Sequence, residues 1–354
     1  MEFIMKKILI MAATALLSVS AFAYNPPAGG QGLWTLSSPT QLSAANSVAG
    51  GGVFAPGPDS IVFNPALPAM ENRVQLDFGF SALINNGDFG DTFNSAFQTG
   101  ILIPSKMFVF SGMTEGVFCE AEDLYLGKSI NFRAGLSKRV FEQLSFGVNL
   151  YGGYLWDAGT DWSVGADVGF LYRKDELGFM KDFRIGASFM NLGKVYNDAE
   201  LVGIDFDEKV DGFPTILTLK TGVAANFVKT DDLILGCSFD FTTPFFQNAI
   251  IDAGFQVGIK DTVFVSVAER IDVRESVEGV ATYLPAISVS YKFNLNVKNS
   301  SYAAKHDWTK NDMTASLGWR QCAEYVHAVS GGVKLKLGQD DTQAPVIQLW
   351  DEEE

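Results

Sequence analysis

Residues 144–154 read LSFGVNLYGGY, and the side chains of this stretch alternate between two kinds. Every second position, beginning at Leu144, is apolar or glycine, and the positions between them are small or polar. Because successive side chains of a β-strand point to opposite faces, the alternation predicts a strand with one apolar face. Its length also matches the ~10 residues that a tilted strand needs to cross an outer membrane.

A second stretch, residues 162–173, places aromatic side chains at both ends of its apolar face and aliphatic ones between them. This arrangement suits a strand that faces lipid, because amphipathic rings favour the two interfaces of a membrane. The strands of a soluble β-sandwich also alternate between apolar and polar residues. The number of strands and the lengths of their connections must therefore distinguish the two folds. We count about fourteen candidate strands, joined mostly by alternating short and long connections. The sequence therefore predicts an all-β fold, a transmembrane antiparallel β-barrel of about 14 strands over residues 73–338.

Two connections depart from the alternation of short turns and long loops. The connection at residues 297–310 is long where a short turn is expected, and the connection at residues 320–322 is short where a long loop is expected. The register of the last two strands is therefore left open.

The start of the chain has the pattern of an export signal. Lys6 and Lys7 precede an apolar run over residues 8–17, and small residues follow at Ala21 and Ala23. The apolar run is shorter than the ~20 residues that a membrane helix needs. We therefore expect a cleaved signal peptide at residues 1–23, and a mature chain in the outer membrane of a diderm bacterium.

The composition argues against several classes of function. A formal net charge of −15 argues against nucleic acid as a partner. The three cysteines have no paired spacing, and neither His306 nor His327 has a neighbour at metal-ligand spacing. We therefore predict no enzyme activity, no catalytic or metal-binding residues and no cofactor. The acidic residues 339–354 are expected to form a solvated periplasmic tail.

Residues 24–72 do not have the composition or the alternation of a β-strand. They are rich in glycine and proline, yet they also carry apolar side chains such as Leu33, Trp34, Ile61 and Phe63. A flexible tail would explain the glycine and proline, whereas the apolar side chains require burial. A barrel of about fourteen strands has a lumen too wide for its own wall to fill, and a compact plug at residues 24–72 would bury these side chains inside it.

Two motifs lie in this segment, directly before the first alternating strand. Residues 42–53 read LSAANSVAGGGV, and residues 59–66 read DSIVFNPA. Glycine permits backbone conformations closed to other residues, and Asn-Pro favours a tight turn. In order and spacing the motifs resemble those of the FadL family of outer-membrane transporters, in which they belong to the hatch. The matching residues, for which we expect structural or gating roles, are Gly50, Gly51, Gly52, Asn64, Pro65 and Ala66.

The resemblance implies a fourteen-stranded barrel with a small N-terminal hatch, and passive uptake of hydrophobic molecules such as long-chain fatty acids. The implied partners are outer-membrane lipid and a hydrophobic small-molecule ligand. PorV-like components of a secretion system and other FadL-like barrels share this start, so the cargo stays open. The alternatives are a general porin, or a surface or secretion-system barrel that transports nothing.

The alternation also predicts individual residues of the site. If the apolar faces meet lipid, the intervening positions face the lumen, and the candidate lumen residues are Arg133, Tyr151, Arg173 and Arg184. Aromatic residues near the first two external loops are candidates for capture of a hydrophobic molecule, although anchoring at the membrane interface explains them almost as well. These candidate capture residues are Phe89, Phe93, Phe97 and Phe118.

Overall fold

The strands form one closed sheet. A computed structural model describes residues 25–26, 35–43, 47–85, 93–105, 107–119, 126–156, 159–196, 217–296 and 310–338. The predicted signal peptide, the acidic tail and Phe89 lie outside these residues. The strands within them are β1 (Val74–Asn85), β2 (Phe93–Pro104), β3 (Val109–Cys119), β4 (Gly127–Arg139), β5 (Leu144–Trp156), β6 (Asp161–Leu177), β7 (Met180–Lys194), β8 (Thr218–Lys229), β9 (Leu233–Pro244), β10 (Ile250–Ile259), β11 (Val263–Asp272), β12 (Ala286–Asn296), β13 (Lys310–Gln321) and β14 (Val326–Leu337).

Each strand pairs antiparallel with the next along the chain, and β1 pairs with β14 to close the barrel. Closure leaves no sheet edge with unpaired backbone groups, which hydrocarbon could not satisfy. The predicted strand number and order are confirmed. Both departures from the alternation of connections are also confirmed, because residues 297–309 join β12 to β13 and residues 322–325 join β13 to β14.

The two ends of the barrel differ in their connections. We call the end that carries Val74 and Leu337 the turn end, since β4–β5, β6–β7, β8–β9 and β10–β11 are joined there by tight turns. The opposite end is the loop end. The described residues contain no helix long and apolar enough to span a membrane.

The wall is apolar outside and polar inside. In β1, Leu76, Phe78 and Phe80 are exposed on the outer face, whereas Asp77 and Ser81, at the intervening parity, are buried on the inner face. A soluble protein has the reverse arrangement, because water would penalise a continuous apolar exterior. The exterior is therefore suited to contact with lipid.

Strand β12 begins later than the alternation predicts. The sequence pattern starts a strand at residue 282, whereas the observed strand starts at Ala286, directly after Pro285. Proline has no backbone N–H to donate to a neighbouring strand, so it ends the pairing at this position.

The described residues from 35 to 73 lie inside the barrel. They form helix α1 (Pro39–Leu42) and two short 3-10 helices at Pro58–Val62 and Leu67–Met70. Most of residues 35–73 are buried, and they contact the inner faces of strands from both halves of the barrel. We call the described part of residues 35–73 the N-terminal segment. A second helix, α2 (Val273–Glu278), lies at the loop end after β11.

A charge placed on the outer face tests its contact with lipid. Leu150 lies midway along β5 with 69% of its surface exposed. We expect Leu150→Arg to lower the free energy of unfolding by about 2–4 kcal/mol, because a cation at the bilayer midplane loses its hydration. Phe141→Arg, in the β4–β5 turn, is the control and is expected to cost about 0–1 kcal/mol. Denaturant titration of the barrel in lipid vesicles measures both free energies. Equal effects of the two substitutions would contradict a position of Leu150 at the midplane of the bilayer.

Candidate functional site

The glycine run of the N-terminal segment is held by an arginine of the wall. Gly50 and Gly51 have φ angles of +87° and +74°, a region that favours glycine. The guanidinium of Arg184, which faces inward from β7, donates hydrogen bonds to the carbonyl oxygens of Gly51 at 2.6 Å and Gly52 at 3.2 Å. It also lies over the ring of Phe54, 4.6 Å from the centroid. The structure thus brings a candidate lumen residue and the candidate hatch glycines together.

Arg173 holds the same part of the segment from β6. Its guanidinium lies 5.5 Å from the centroid of the Phe54 ring and pairs with Asp182 at 2.7 Å. The Phe54 ring is therefore flanked by the cations of Arg173 and Arg184, an arrangement that is favourable when the groups are desolvated. Phe54 was not among the predicted site residues.

Asn64 joins the segment to itself and to the wall. Its side-chain nitrogen donates to the carbonyl oxygens of Val48 at 2.8 Å and Phe170 of β6 at 2.9 Å. Its side-chain oxygen accepts from the backbone N–H of Ala66 at 2.9 Å. Asn64 is fully buried, so these hydrogen bonds satisfy polar groups that water cannot reach. The Asn-Pro-Ala motif therefore fixes the turn and ties it to β6.

Glycines of the wall let the backbone of the segment approach closely. A methyl group added at Gly147 would overlap the carbonyl group of Pro65, and one at Gly186 would overlap that of Val48. A methyl group at Gly169 would overlap the side-chain oxygen of Asn64. These inward positions therefore require glycine because of contact with the segment.

Polar wall side chains from other strands bind the segment as well. Asp240 of β9 accepts from the N–H of Val48 at 2.8 Å, and Gln256 of β10 accepts from that of Val53 at 2.7 Å. Further side chains from the wall form hydrogen bonds with the segment, some as donors to its backbone carbonyl oxygens and others as acceptors from its side chains. They are Gln75 of β1, Gln98 of β2, Glu115 of β3, Asn149 of β5, Ser188 of β7 and Lys220 of β8.

Arg133 and Tyr151 also face the lumen, but they interact mainly with the wall. Arg133 of β4 forms an ion pair with Asp167 of β6, in which the side chains are 3% and 0% exposed. Asp167 also accepts from the backbone N–H of Asn191 at 2.8 Å. The guanidinium of Arg133 lies 5.0 Å from the centroid of the Tyr151 ring. These residues connect β4, β5, β6 and β7 inside the lumen.

The loop end of the lumen holds a cluster of buried apolar side chains beside β14 and β1–β5, which the sequence reasoning missed. At this end the inward positions of several strands carry leucine, valine or alanine, in place of the polar residues found elsewhere on the inner face. That local loss of alternation was the available signal. The outer apolar layer consists of the buried residues Leu36, Leu42, Leu83, Ala96, Val117, Cys119, Leu126, Leu155, Tyr196, Cys322, Ala323, Val326 and Ala328.

The turn end of the lumen is hollow and charged. A cavity of about 470 Å³, here called the vestibule, lies between the N-terminal segment and the turn end. Ion pairs at its edge join the segment to β13 and β14: Arg73 to Asp312 at 2.5 Å and Glu71 to Lys336 at 2.6 Å. Within the described ranges, no group of three or more His, Cys, Asp or Glu side chains could hold a metal ion.

The candidate capture residues that the structure describes do not face the lumen. Phe97 of β2 and Phe118 of β3 lie on the outer face near the loop end, where their rings stack with centroids 5.9 Å apart. Trp156 meets Phe118 edge-on at 6.0 Å. This position favours the alternative of aromatic anchors at the membrane interface. Phe93 begins β2, and its side chain lies outside the described part of the chain, as does Phe89.

Comparison with known proteins identifies the fold. No protein-family model matches the chain, and no curated protein matches it. The deltaS2S3 mutant of TodX, a monoaromatic hydrocarbon channel, aligns with a TM-score of 0.53 and 12% identity, over 84% of this chain and 98% of that chain. CymD, also a monoaromatic hydrocarbon channel, aligns with a TM-score of 0.52 and 12% identity, over 91% and 100%. At this identity the likeness shows a shared fold alone. The expected barrel fold is confirmed at that level.

Proposed function

We propose that the chain is a plugged outer-membrane channel for passive uptake of hydrophobic molecules, such as long-chain fatty acids or monoaromatic hydrocarbons. In this proposal the loop end faces the exterior of a diderm bacterium and the turn end faces the periplasm. Residues 1–23 are a cleaved signal peptide, and residues 24–72 are the hatch. The cargo classes come from the family resemblance and from the two channels that share the fold.

The outer apolar layer is the observation that carries this proposal. A porin needs a continuous aqueous path lined by polar or charged groups. Here an ion that enters the lumen beside β14 and β1–β5 would have to leave water between side chains such as Leu83, Leu155 and Val326. Desolvation of an unpaired ion costs many kcal/mol. Transfer of a hydrophobic molecule from water into the same layer is favourable.

The N-terminal segment supports the same conclusion. It crosses the lumen and is bonded to side chains from most of the wall, including Arg184, Asn149 and Asp240. A fixed segment of this kind blocks free diffusion of water-soluble solutes. A hydrophobic molecule that enters the outer layer would contact it through Leu36 and Leu42, which belong to both.

Conductance and uptake together test the proposal. The purified barrel in a planar bilayer is expected to show no steady ion conductance. In cells that lack their own fatty-acid channel, it is expected to restore uptake of labelled oleate. Leu83→Asp is expected to slow this uptake by about tenfold or more, because it places a charge in the outer layer. Leu83→Met conserves the volume and is the control.

Two outcomes would contradict the proposal. Steady conductance of the unmodified barrel would indicate a general porin. Uptake that is absent, although the folded barrel reaches the outer membrane, would indicate a surface or secretion-system component.

A further inference from the structure

Two arginines of the barrel wall lie directly opposite each other on neighbouring strands. Arg173 of β6 and Arg184 of β7 are register partners. Their guanidinium groups lie 5.5 and 4.6 Å from the centroid of the same ring, that of Phe54. Like charges in directly opposite positions of a sheet repel each other. The pair therefore needs compensation by negative charge nearby.

One carboxylate serves this pair together with a third cation. Asp182 accepts a hydrogen bond from Nε of Arg173 at 2.7 Å, and its other oxygen lies 3.8 Å from the ammonium of Lys229 on β8. Arg184 forms no ion pair with any described residue, and its Nε and Nη1 have no hydrogen-bond partner there. Three cations thus share one acid, in a chain whose formal net charge is −15.

The remaining charged groups around the vestibule are balanced. On the side of β12, β13 and β14, each cation has an acid of its own within 3.2 Å. The uncompensated positive charge of the vestibule therefore lies at the wall formed by β6, β7 and β8. The balanced pairs are Arg73 with Asp312, Lys292 with Asp261, Lys334 with Asp59 and Lys336 with Glu71.

The cations at this wall offer donors to the vestibule. Arg173 and Lys229 line the cavity, and their side chains are 27% and 45% exposed. Among the described residues, Arg173 bonds only through Nε, to Asp182, and Lys229 forms no hydrogen bond. The terminal nitrogens of Arg173 and the ammonium of Lys229 can therefore donate to a ligand. A guanidinium end matches two oxygens of a phosphate or carboxylate.

We propose that the wall of β6, β7 and β8 holds a binding site for a small, water-soluble, divalent oxyanion such as phosphate. Two of its oxygens accept from the terminal nitrogens of Arg173 and a third accepts from Lys229. Its charge offsets the excess of positive charge that these residues share with the buried Arg184. The ligand enters through the vestibule from the turn end. The site goes beyond the proposed function, because it takes no hydrophobic cargo.

Occupation of the site strengthens the attachment of the N-terminal segment. Arg184 donates to the carbonyl oxygens of Gly51 and Gly52, and both arginines flank Phe54. Their mutual repulsion opposes this arrangement, and a bound anion reduces that repulsion. The anion therefore stabilises the contact between the glycine run and the wall.

Titration calorimetry with inorganic phosphate tests the site. The barrel is held in nanodiscs of uncharged lipid, and potassium chloride keeps the ionic strength constant. We expect saturable binding of phosphate and weaker binding of monovalent acetate. Lys229→Gln should weaken phosphate binding by about tenfold or more, because it removes a charge-assisted hydrogen bond. Arg173→Lys keeps the charge but loses the paired donors, so it should weaken phosphate binding as well.

Lys292→Gln is the matched control, because it removes the same charge from the same cavity at a balanced position. It should change phosphate affinity by less than about threefold, since salt screens charges that do not touch the ligand. Equal weakening by Lys229→Gln and Lys292→Gln would show a general field in place of a site. That result, or no saturable binding by the unmodified barrel, would overturn the inference and leave hydrophobic uptake intact.

Hydrogen exchange followed by mass spectrometry locates the bound anion. Phosphate should slow exchange of the backbone amides of residues 50–56 in the unmodified barrel, because it stabilises the arginines that hold them. The same addition should have no effect on residues 50–56 in Lys229→Gln. Residues 310–321 of β13, at the balanced side, should be unchanged in both proteins. Protection confined to β13 would place the anion at the other wall and contradict the assignment.

Discussion

Gly169→Leu is expected to displace the N-terminal segment and give the barrel a steady ion conductance. A methyl group at Gly169 would already overlap the side-chain oxygen of Asn64 and would lie 2.8 Å from Cδ of Pro65. A leucine side chain needs still more of the space that this turn occupies. Since the surrounding wall is closed by strand pairing, the segment is the part that can move.

Single-channel recording in a planar bilayer measures this effect. We expect steady openings for Gly169→Leu and none for the unmodified barrel. Gly152→Leu is the control: Gly152 lies on the outer face of neighbouring β5, and a methyl group there has only the Ser163 carbonyl oxygen nearby, at 3.8 Å. A closed Gly169→Leu barrel that still folds would show that the segment does not seal the lumen.

Arg133→Met is expected to cause the largest loss of stability. Arg133 and Asp167 are buried together, so removal of the cation leaves a carboxylate without its compensating charge. Such a change typically costs about 3–5 kcal/mol. The cost should appear as a lower free energy of unfolding in denaturant titrations, with the lipid and the detergent held constant.

The double variant Arg133→Met with Asp167→Asn separates charge from packing. Asparagine keeps an oxygen that can accept from the N–H of Asn191, and it carries no charge. We expect the double variant to regain at least half of the lost stability, since the buried uncompensated charge is gone. If it is no more stable than Arg133→Met alone, the loss arises from packing against Tyr151.

The Arg133 pair and the Gly169 contact have different consequences for function. Arg133 and Asp167 join β4 to β6 within the wall, so their loss weakens the barrel itself. Gly169 meets the N-terminal segment, so its substitution should leave the strand pairing intact while it opens the lumen. Comparison of the two variants therefore separates the stability of the wall from the closure of the pore.

The sequence by itself determined the wall of the barrel. Alternation along stretches such as residues 144–154 is a local property, because each strand shows one face to lipid and the other to the lumen. It was sufficient to predict the strands and their number. The glycine run and the Asn-Pro-Ala motif were also recognisable, since glycine widens the range of local backbone conformations and proline restricts it.

Only the tertiary structure decided which of these residues meet. The contacts of Arg184 with Gly51 and of Asn64 with Phe170 join residues more than a hundred positions apart, and no local pattern encodes such pairs. The outer apolar layer likewise assembles side chains from the N-terminal segment and from strands as far apart in the sequence as β1 and β14. The late start of β12 follows from one proline, but the pairing that is lost there depends on the lengths of β11 and β13. Local periodicity specifies the face of each strand, whereas closure of the sheet specifies what those faces enclose.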